Sequence, residues 1–222
     1  MLDIAQQYNA KEEQKQKILA GLKDIIEKAN NPYVFLEGNA FYHDQSLRLH
    51  TDLYTKQLNL FWCGQQAATR ICEIGFNAGH SSMLLLLGRD KTPIHMTLFD
   101  IGHHLYTKPC VEYIKSAFPH IRFEYVEGDS TKTLPSWIQT HESLCGAYDV
   151  VHVDGGHSEE CISSDLKYAS LLVRTNGIVI VDDTDGECIN GYVNKAIASG
   201  DYKEMDVLKT KGYPHRILQK IK

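Results

Sequence analysis

Short apolar runs alternate with amphipathic stretches along the chain after Arg70. Five of these runs read RICEIG, HMTLFD, RFEYVEGD, YDVVHVDGG and GIVIVDD. Strands that lack a polar face and alternate with helices are typical of a parallel sheet covered on both sides. Two further strand-like runs, YKEMDVLKT and PHRILQKIK, are joined by the short turn KGYP, which favours an antiparallel pair. The pattern predicts a doubly wound α/β fold with a mostly parallel, seven-stranded sheet.

The first 69 residues have a helical pattern instead. Apolar residues recur at helical spacing within residues 9–30, and a second helical stretch covers residues 47–66. The segment NNPYVFLEGNAFYHD between them predicts an irregular loop. We therefore divide the chain into an N-terminal helical extension, residues 1–69, and an α/β domain, residues 70–222. The extension fits a cap, the face of a homodimer or plain packing equally well.

Composition disfavours several classes of protein. Of the 222 residues, 43% are hydrophobic and 23% are charged, and the net charge is -5. This balance gives no support for binding to nucleic acid or to an anionic membrane, and no apolar run reaches the roughly 20 residues needed to span a bilayer. The six cysteines are scattered and form no C-x-x-C pair. Together with an N-terminus that does not read as a signal peptide, they predict reduced thiols and a cytoplasmic protein.

Each predicted parallel strand is followed by polar residues or glycine. The carboxyl ends of parallel strands share one edge of the sheet, where ligands bind in folds of this type. The residues expected at this edge are Glu73, Gly75, Asp100, Gly128, Asp129, Ser130, Asp154, Asp182 and Asp183. Their recurrence at strand after strand predicts a ligand site.

The glycines of EIGFNAGHSS predict a tight turn between the first parallel strand and the next helix. Asn77 stands where a dinucleotide-binding loop has its middle glycine, and no Gly-Lys-Ser/Thr follows, so neither an NAD site nor a phosphate-binding loop is predicted. Asp100 is placed to accept hydrogen bonds from ribose hydroxyls, and Asp129, beside Ser130, is placed to meet an exocyclic amine of a base. Helix N-capping is the competing interpretation of these acids.

These segments resemble those of a known family. ICEIGFNAGHSS, LFD, EGDS, YDVVHVDGGH and GIVIVDDT are similar to the motifs of the class I S-adenosylmethionine-dependent methyltransferases, over about two thirds of the chain from Arg70 onward. The resemblance implies the Rossmann-like methyltransferase fold, with residues 70–222 as the domain that binds S-adenosylmethionine. The cofactor-binding residues that it implies are Glu73, Gly75, Asn77, Gly79 and Ser81 for the methionine part, Asp100 for the ribose, and Asp129 and Ser130 for the adenine.

The combination of VDGGH and VDD is similar to the metal-dependent O-methyltransferases, both the catechol-type and the macrolide-sugar-type enzymes. By position, this resemblance implies a divalent metal site made of Asp154, Asp182 and Asp183. Three carboxylates at neighbouring strand ends would repel one another, and a hard cation such as Mg²⁺ removes that cost. Asp183 departs from the catechol-type pattern, which has asparagine there. Solvent-exposed acids without a metal are the alternative.

His157 follows Asp154 by three residues, and the sugar-modifying enzymes carry a histidine there as general base. The resemblance therefore implies that His157 takes the proton of the acceptor hydroxyl while Asp154 helps to hold the metal. Gly155 and Gly156 are expected to leave space for the substrate, and Ser158 is expected to begin a helix. A supporting or capping role is the alternative for His157.

Several other polar residues are assigned to the surroundings of the site. His103 and His104 are expected to border the adenosine pocket. Tyr42 and His43 lie in the N-terminal loop, which is a candidate to fold over the substrate. Lys211 and Tyr213, at the turn KTKGYP, are candidates for the substrate rim.

The predicted function is transfer of a methyl group from S-adenosylmethionine to a hydroxyl of a small sugar-like or catechol-like molecule, assisted by a divalent metal. Asp154 and His157 are the predicted catalytic residues. Two alternatives keep the fold: a metal-independent methyltransferase or aminopropyl transferase, and a binding protein without catalysis. A nucleic-acid methyltransferase is disfavoured, because the chain has no evident basic stripe and no Asn-Pro-Pro-aromatic motif after the fourth strand.

Overall fold

The strands predicted from the apolar runs form one seven-stranded sheet. The computed structural model describes residues 3–29, 40–42, 53–89, 92–208 and 214–222. Its strands are β1 (Arg70–Ile74), β2 (His95–Asp100), β3 (Arg122–Glu127), β4 (Tyr148–Val153), β5 (Val173–Val181), β6 (Tyr202–Glu204) and β7 (Arg216–Lys220). Their order across the sheet is β3-β2-β1-β4-β5-β7-β6.

The pairing of the strands confirms the predicted mixture of directions. β1 pairs in parallel with β2 and β4, and the parallel set extends to β3 on one side and β5 on the other. β7 is antiparallel to both β5 and β6. The strand order changes direction between β1 and β4, which is where a doubly wound sheet opens a crevice at its carboxyl edge. A ligand is therefore expected above the ends of β1 and β4.

Helices cover both faces of the sheet. They are α1 (Ile4–Asn9), α2 (Glu12–Ala29), α3 (Tyr54–Gln66), α4 (His80–Leu87), α5 (Thr107–Ala117), α6 (Ser130–Thr140), α7 (Glu159–Leu172) and α8 (Glu187–Ala198). α8 contains Gly191, which has open space around it, as a glycine tolerated inside a helix. Among the described residues, we find no helix with the length and apolar character that crossing a membrane requires.

Two apolar cores lie on opposite faces of the sheet, because strand side chains alternate in direction. On one face, residues of the first five helices, such as Leu22 and Leu85, pack in one cluster with Ile71 of β1. On the other face, α6, α7 and α8 pack on strand residues such as Val151. The described part of the N-terminal extension therefore shares the main core, and the domain boundary at residue 70 stays a prediction.

Asp149, near the start of β4, ties this strand to the segment that enters β1. Its Oδ2 atom accepts hydrogen bonds from the backbone N–H groups of Ala68, Thr69 and Arg70, at 2.9, 2.6 and 3.0 Å. Its Oδ1 atom accepts one from Nε of Arg174 at 2.8 Å. Burial alone would raise the pKa of Asp149, but the Arg174 guanidinium and these backbone donors outweigh burial and lower the pKa.

Asp149→Asn should therefore lower the free energy of unfolding by about 3 kcal/mol near neutral pH, because a neutral amide leaves buried donors unpaired. The folded-state pKa lies below the unfolded value of about 3.9, so this stabilisation is complete above the unfolded pKa and is lost as the pH falls through the folded pKa. Urea unfolding over a pH series should show the two proteins converging in acid. Asp24→Asn, at an exposed pair with Lys28, is the control and should cost less than about 1 kcal/mol. An unchanged gap in acid would contradict the role of the charge.

Candidate active site

A cleft of about 290 Å³ opens at the carboxyl edge of β1, β2 and β4, where the strand order changes direction. The residues that line it are Ile74, Gly75, Asn77, Phe99, Asp100, Ile101, His103, His104, Gly128, Asp129, Ser130, Asp154, Gly155, Gly156 and Cys161. Five of the eight residues predicted to bind the cofactor are in this set. The two neighbouring histidines, His103 and His104, lie on its wall where the sequence placed them.

The turn after β1 needs glycine at its first position. Gly75 has a φ of +93°, and a Cβ atom there would lie 1.8 Å from the carbonyl oxygen of Asp154. The backbones that follow β1 and β4 therefore touch, which brings Asp154 to the cleft. Asn77 follows with a φ of +51°, and its N–H donates to Oδ2 of Asp100 at 2.7 Å. The N–H of Gly102 donates to Oδ1 of Asp100 at 2.7 Å, so this carboxylate is held in one orientation at the cleft wall.

Asp129 caps α6 and also lines the cleft. Its Oδ1 atom accepts hydrogen bonds from the N–H of Thr131 at 3.0 Å and from the hydroxyl of Thr131 at 2.7 Å. Lys132 forms an ion pair with its Oδ2 atom at 3.2 Å. The hydrogen bonds from Thr131 and then Lys132 lower the pKa of Asp129. Capping explains the position of this acid, and contact with an adenine amine stays a prediction.

Three of the predicted cofactor residues are not among those that line the cleft. Gly79 is the N-cap residue of α4, with a φ of +82°, and Ser81 is buried in the first turn of that helix. Glu73 is fully buried beneath the loop. Its Oε2 atom accepts a hydrogen bond from Oγ of Ser82, and its Oε1 atom lies 2.9 Å from Nδ1 of His152. In this structure Glu73 therefore links β1 to β4 through His152.

Alternation along the strands assembles a second polar group beside the cleft. Glu73 in β1 is in register with His152 in β4, and Asp154 follows His152 by two residues. Side chains two residues apart on a strand share a face of the sheet. Asp182 follows β5 directly, and its N–H donates to the carbonyl oxygen of Val153 at 3.0 Å, which keeps the two strand ends in register. We refer to Glu73, His152, Asp154 and Asp182 as the acidic cluster.

Lys56 in α3 brings a positive charge to the acidic cluster. Its side chain is only 3% exposed, and Nζ donates to Oδ2 of Asp182. Burial lowers the pKa of Lys56, but Asp182 and Asp154 outweigh burial and raise it. The sequence pattern does not identify Lys56, because a lysine on a helix normally extends into solvent. Through Lys56, the N-terminal extension contributes a side chain to the site.

The two aspartates of the cluster respond differently to the same surroundings. Burial, followed by the charge of Asp182, raises the pKa of Asp154 well above its ordinary value. Burial also acts to raise the pKa of Asp182, but Lys56 outweighs it and lowers the pKa. The difference arises because Lys56 pairs directly with Asp182. Asp154 is therefore the aspartate of the cluster for which the described residues offer no direct ion pair.

Asp183 contacts His157 in this structure. Its φ is +52°, in the left-handed region that few residues other than glycine adopt. Because of this backbone conformation, the side chain of Asp183 points in a different direction from that of Asp182. Its Oδ2 atom lies 2.7 Å from Nε2 of His157. The structure thus brings Asp154 and Asp182 together and joins Asp183 to the predicted base, so a metal-ligand role for Asp183 stays a prediction. The sequence did not predict this pairing, because it assigned Asp183 to the same metal site as Asp182.

The glycines of VDGGH line the cleft, and space for a substrate beside them stays a prediction. A Cβ atom at Gly155 would lie 2.6 Å from Oδ2 of Asp165, and one at Gly156 would lie 2.9 Å from Sγ of Cys161. Helix α7 packs so closely on this loop that a side chain at either position would meet it. The predicted helix start is confirmed, since Ser158 caps α7 by accepting a hydrogen bond from the N–H of Cys161 at 3.2 Å.

The two predicted rim residues, Lys211 and Tyr213, fall outside the described part of the chain, as does His43. Tyr42 is described, and its side chain is buried in the core with its ring centroid 5.4 Å from that of His80. Folding of this loop over the substrate stays a prediction.

Three side chains of the acidic cluster are suited to hold a cation. A ring nitrogen of His152 and one carboxylate oxygen each of Asp154 and Asp182 all lie within 4.8 Å of one another. Nε2 of His152 and Oδ1 of Asp182 are buried and have no hydrogen-bond partner among the described residues. Buried polar atoms are costly unless something pairs with them. One nitrogen and two carboxylate oxygens are therefore a donor set that fits a divalent ion.

A family model described as a methyltransferase domain matches residues 72–184, just over half of the chain. The matched segment runs from β1 to the acids that follow β5, so it contains both the cleft and the acidic cluster. The chain belongs to the methyltransferase-domain family. The resemblance to the class I S-adenosylmethionine-dependent methyltransferases is thereby confirmed, and the protein is a methyltransferase.

Solved structures share the fold of this methyltransferase. An O-methyltransferase from Bacillus cereus, in complex with SAH, has a TM-score of 0.63 and 16% identity, with 93% of this chain and 91% of that chain covered. CalS11, a TDP-rhamnose 3'-O-methyltransferase of calicheamicin biosynthesis, has a TM-score of 0.62 and 16% identity, with 92% and 93% covered. TomG from Streptomyces achromogenes, in complex with SAM, has a TM-score of 0.55 and 19% identity, with 76% and 79% covered. At these identities the likeness shows the fold alone. No curated protein sequence matches the chain.

Proposed function

We propose that this methyltransferase transfers the methyl group of S-adenosylmethionine to a hydroxyl oxygen of a small polar molecule, with a divalent cation at Asp154 and Asp182. The observation that carries the proposal is the position of Asp154. It lines the cofactor cleft on one side and, on the other, a small cavity that it shares with His157, Asp182 and Asp183. Asp154 is thus the residue at which cofactor, cation and base would meet.

The cleft is suited to the nucleoside of S-adenosylmethionine. Asp100 is oriented by two backbone N–H groups, and each of its oxygens retains an acceptor site for a ribose hydroxyl. Asp129 and Ser130 border the same cleft and are the candidates for adenine. Gly75 and Asn77, both with positive φ, let the loop backbone approach the methionine part closely. When bound, S-adenosylmethionine supplies an electrophilic methyl group and the cation lowers the pKa of the acceptor hydroxyl.

We assign His157 as the general base and Asp183 as the residue that positions it. An ionised carboxylate only accepts hydrogen bonds, so the 2.7 Å contact is made by Nε2–H of His157 donating to Asp183. Nδ1 then carries the lone pair that can accept a proton. As the acceptor oxygen takes the methyl group and the carbon–sulfur bond breaks, the hydroxyl proton passes to Nδ1. Asp183 stabilises the imidazolium that results.

The class of acceptor is inferred from a second cavity, of about 650 Å³, whose wall includes His215, a residue close enough to Asp182 to lower its pKa. Asn59, one helical turn after Lys56 in α3, lines it together with His215, and the side chains of these two residues are 2.6 Å apart. Arg216 and Glu204, an ion pair at 2.6 Å, form another part of the wall. Amide, imidazole and charged groups favour a polyhydroxylated, sugar-like acceptor over a flat catechol. The presence of the same fold in the sugar O-methyltransferase CalS11 supports this choice.

Lys56 supports a second candidate function, methyl transfer without a metal. Its ammonium group balances the negative charge of Asp182. A protonated Asp154 would be neutral, so the two aspartates would then need no metal ion. A chelator separates the two candidates. Methyl transfer that is unaffected by EDTA after dialysis would favour the metal-independent reaction.

The proposal is tested with S-adenosylmethionine that carries a labelled methyl group and a panel of diols, sugars and nucleotide sugars. We expect the label in a methyl ether, and we expect EDTA to lower the rate by at least about tenfold. Asp100→Asn should weaken cofactor binding by about tenfold, because a charge-assisted hydrogen bond is lost. Failure to bind S-adenosylmethionine in calorimetry would overturn the proposal, and transfer to nitrogen or carbon would overturn its specificity for oxygen.

A further inference from the structure

His152 is a buried imidazole whose two ring nitrogens have different surroundings. Nδ1 lies 2.9 Å from Oε1 of Glu73, which is also fully buried. Because the carboxylate accepts this hydrogen bond, Nδ1 carries the hydrogen and Nε2 carries the lone pair. Nε2 is buried and has no hydrogen-bond partner among the described residues. Its lone pair is therefore available to accept a hydrogen bond or to bind a metal ion.

Carboxylate oxygens of Asp154 and Asp182 lie close to the ring of His152, and Lys56 pairs with Asp182. One ring nitrogen of His152 and one oxygen of each aspartate lie within 4.8 Å of one another. Atoms bound to one ion at about 2.1 Å lie roughly 3.0–4.2 Å apart, so a small inward movement completes a coordination shell. Lys56 occupies Oδ2 of Asp182, and Oδ1 is left for the ion. The orphaned atoms and their spacing thus match a single cation.

We infer that His152 binds the divalent cation through Nε2, together with Asp154 and Asp182, and that the ion is a first-row transition metal ion and not Mg²⁺. The inference rests on the metal-assisted reaction proposed above. Mg²⁺ demands oxygen ligands, whereas imidazole nitrogen suits transition metal ions. Glu73 is the positioning residue, because its hydrogen bond with Nδ1 orients the ring and makes Nε2 a better ligand.

Mn²⁺ itself is the probe, because electron spin echo envelope modulation detects a nitrogen atom bound directly to it. We expect a ¹⁴N modulation in the wild-type protein. It should disappear in His152→Gln and persist in His157→Gln, a matched control at the cavity of the aspartate pair. Calorimetry of the wild-type protein should show Mn²⁺ binding at least about tenfold tighter than Mg²⁺. Glu73→Gln should keep the modulation and weaken Mn²⁺ binding by about tenfold.

Bound Mn²⁺ without nitrogen modulation, or a modulation lost only in His157→Gln, would overturn the inference and leave the metal-assisted reaction intact. If neither ion binds, the inference and the metal fail together, while methyl transfer in EDTA still tests the methyltransferase activity. The wild-type spectrum decides whether nitrogen is bound even if His152→Gln does not fold.

Discussion

Asp154→Asn should lower the rate of methyl transfer by about 10³-fold or more, while the affinity for S-adenosylmethionine changes by less than about threefold. Asparagine keeps the size of the side chain, and the backbone N–H of residue 154 still donates to the carbonyl oxygen of Ile74 at 2.8 Å. The loop therefore holds its place, but the charge that would hold the cation is gone. Initial rates with labelled cofactor and calorimetric titration of the cofactor measure the two quantities separately.

Stability separates loss of chemistry from loss of fold in this variant. The pKa of Asp154 is raised by burial and then by Asp182. A raised carboxyl pKa costs stability as the pH climbs from the unfolded pKa to the folded one, so in EDTA at about pH 8 the asparagine variant should be at least as stable as wild type. Asp185→Asn, at an exposed acid of the same loop, is the matched control and should keep the rate within about twofold. More than about a tenth of the wild-type rate in Asp154→Asn would contradict the assignment.

Lys56→Met should lower the free energy of unfolding by about 3–5 kcal/mol in metal-free protein, the range found when one partner of a buried ion pair is removed. Methionine fills much of the space of the lysine side chain, so the loss reports the charge and not a cavity. Asp182 would be left buried without its cation, since both side chains are at most 3% exposed. Urea unfolding in EDTA near neutral pH measures the effect.

Two further variants test the reason for this loss. In the double variant Lys56→Met with Asp182→Asn, both charges are absent, so more than half of the lost free energy should return. Lys28→Met removes a lysine whose side chain is 73% exposed and paired with Asp24, and it should cost less than about 1 kcal/mol. A loss as small as this in Lys56→Met would show that the buried pair contributes little.

The cleft at the carboxyl edge of the sheet could be predicted from the sequence because its residues follow their strands directly. Gly75, Asn77 and Asp100 need only the strand ends and a tight turn to reach the same edge of the sheet. Asp129 was open to two interpretations, and it caps a helix and lines the cleft at once. The alternation of side chains along β1 and β4 places Glu73 and His152 on one face of the sheet. Predicting their contact also requires the register between the two strands, which the sequence does not give.

The contacts that decide the chemistry join residues that are far apart in the sequence, so no local sequence pattern predicts them. Lys56 reaches Asp182 across 126 positions of sequence, by the docking of α3 on the sheet. Asp183 contacts His157 because Asp183 itself adopts a left-handed backbone conformation. The sequence VDD does not predict this conformation.

The sequence by itself determined the alternation of strands and helices, the glycine turn and the placement of acids at the strand ends. These features follow from side-chain periodicity and from short-range steric limits on the backbone. Only the tertiary structure decided which acid pairs with a lysine, which pairs with a histidine, and which has no direct ion pair among the described residues. Those outcomes depend on burial and on side-chain direction, which arise when distant segments pack against one another.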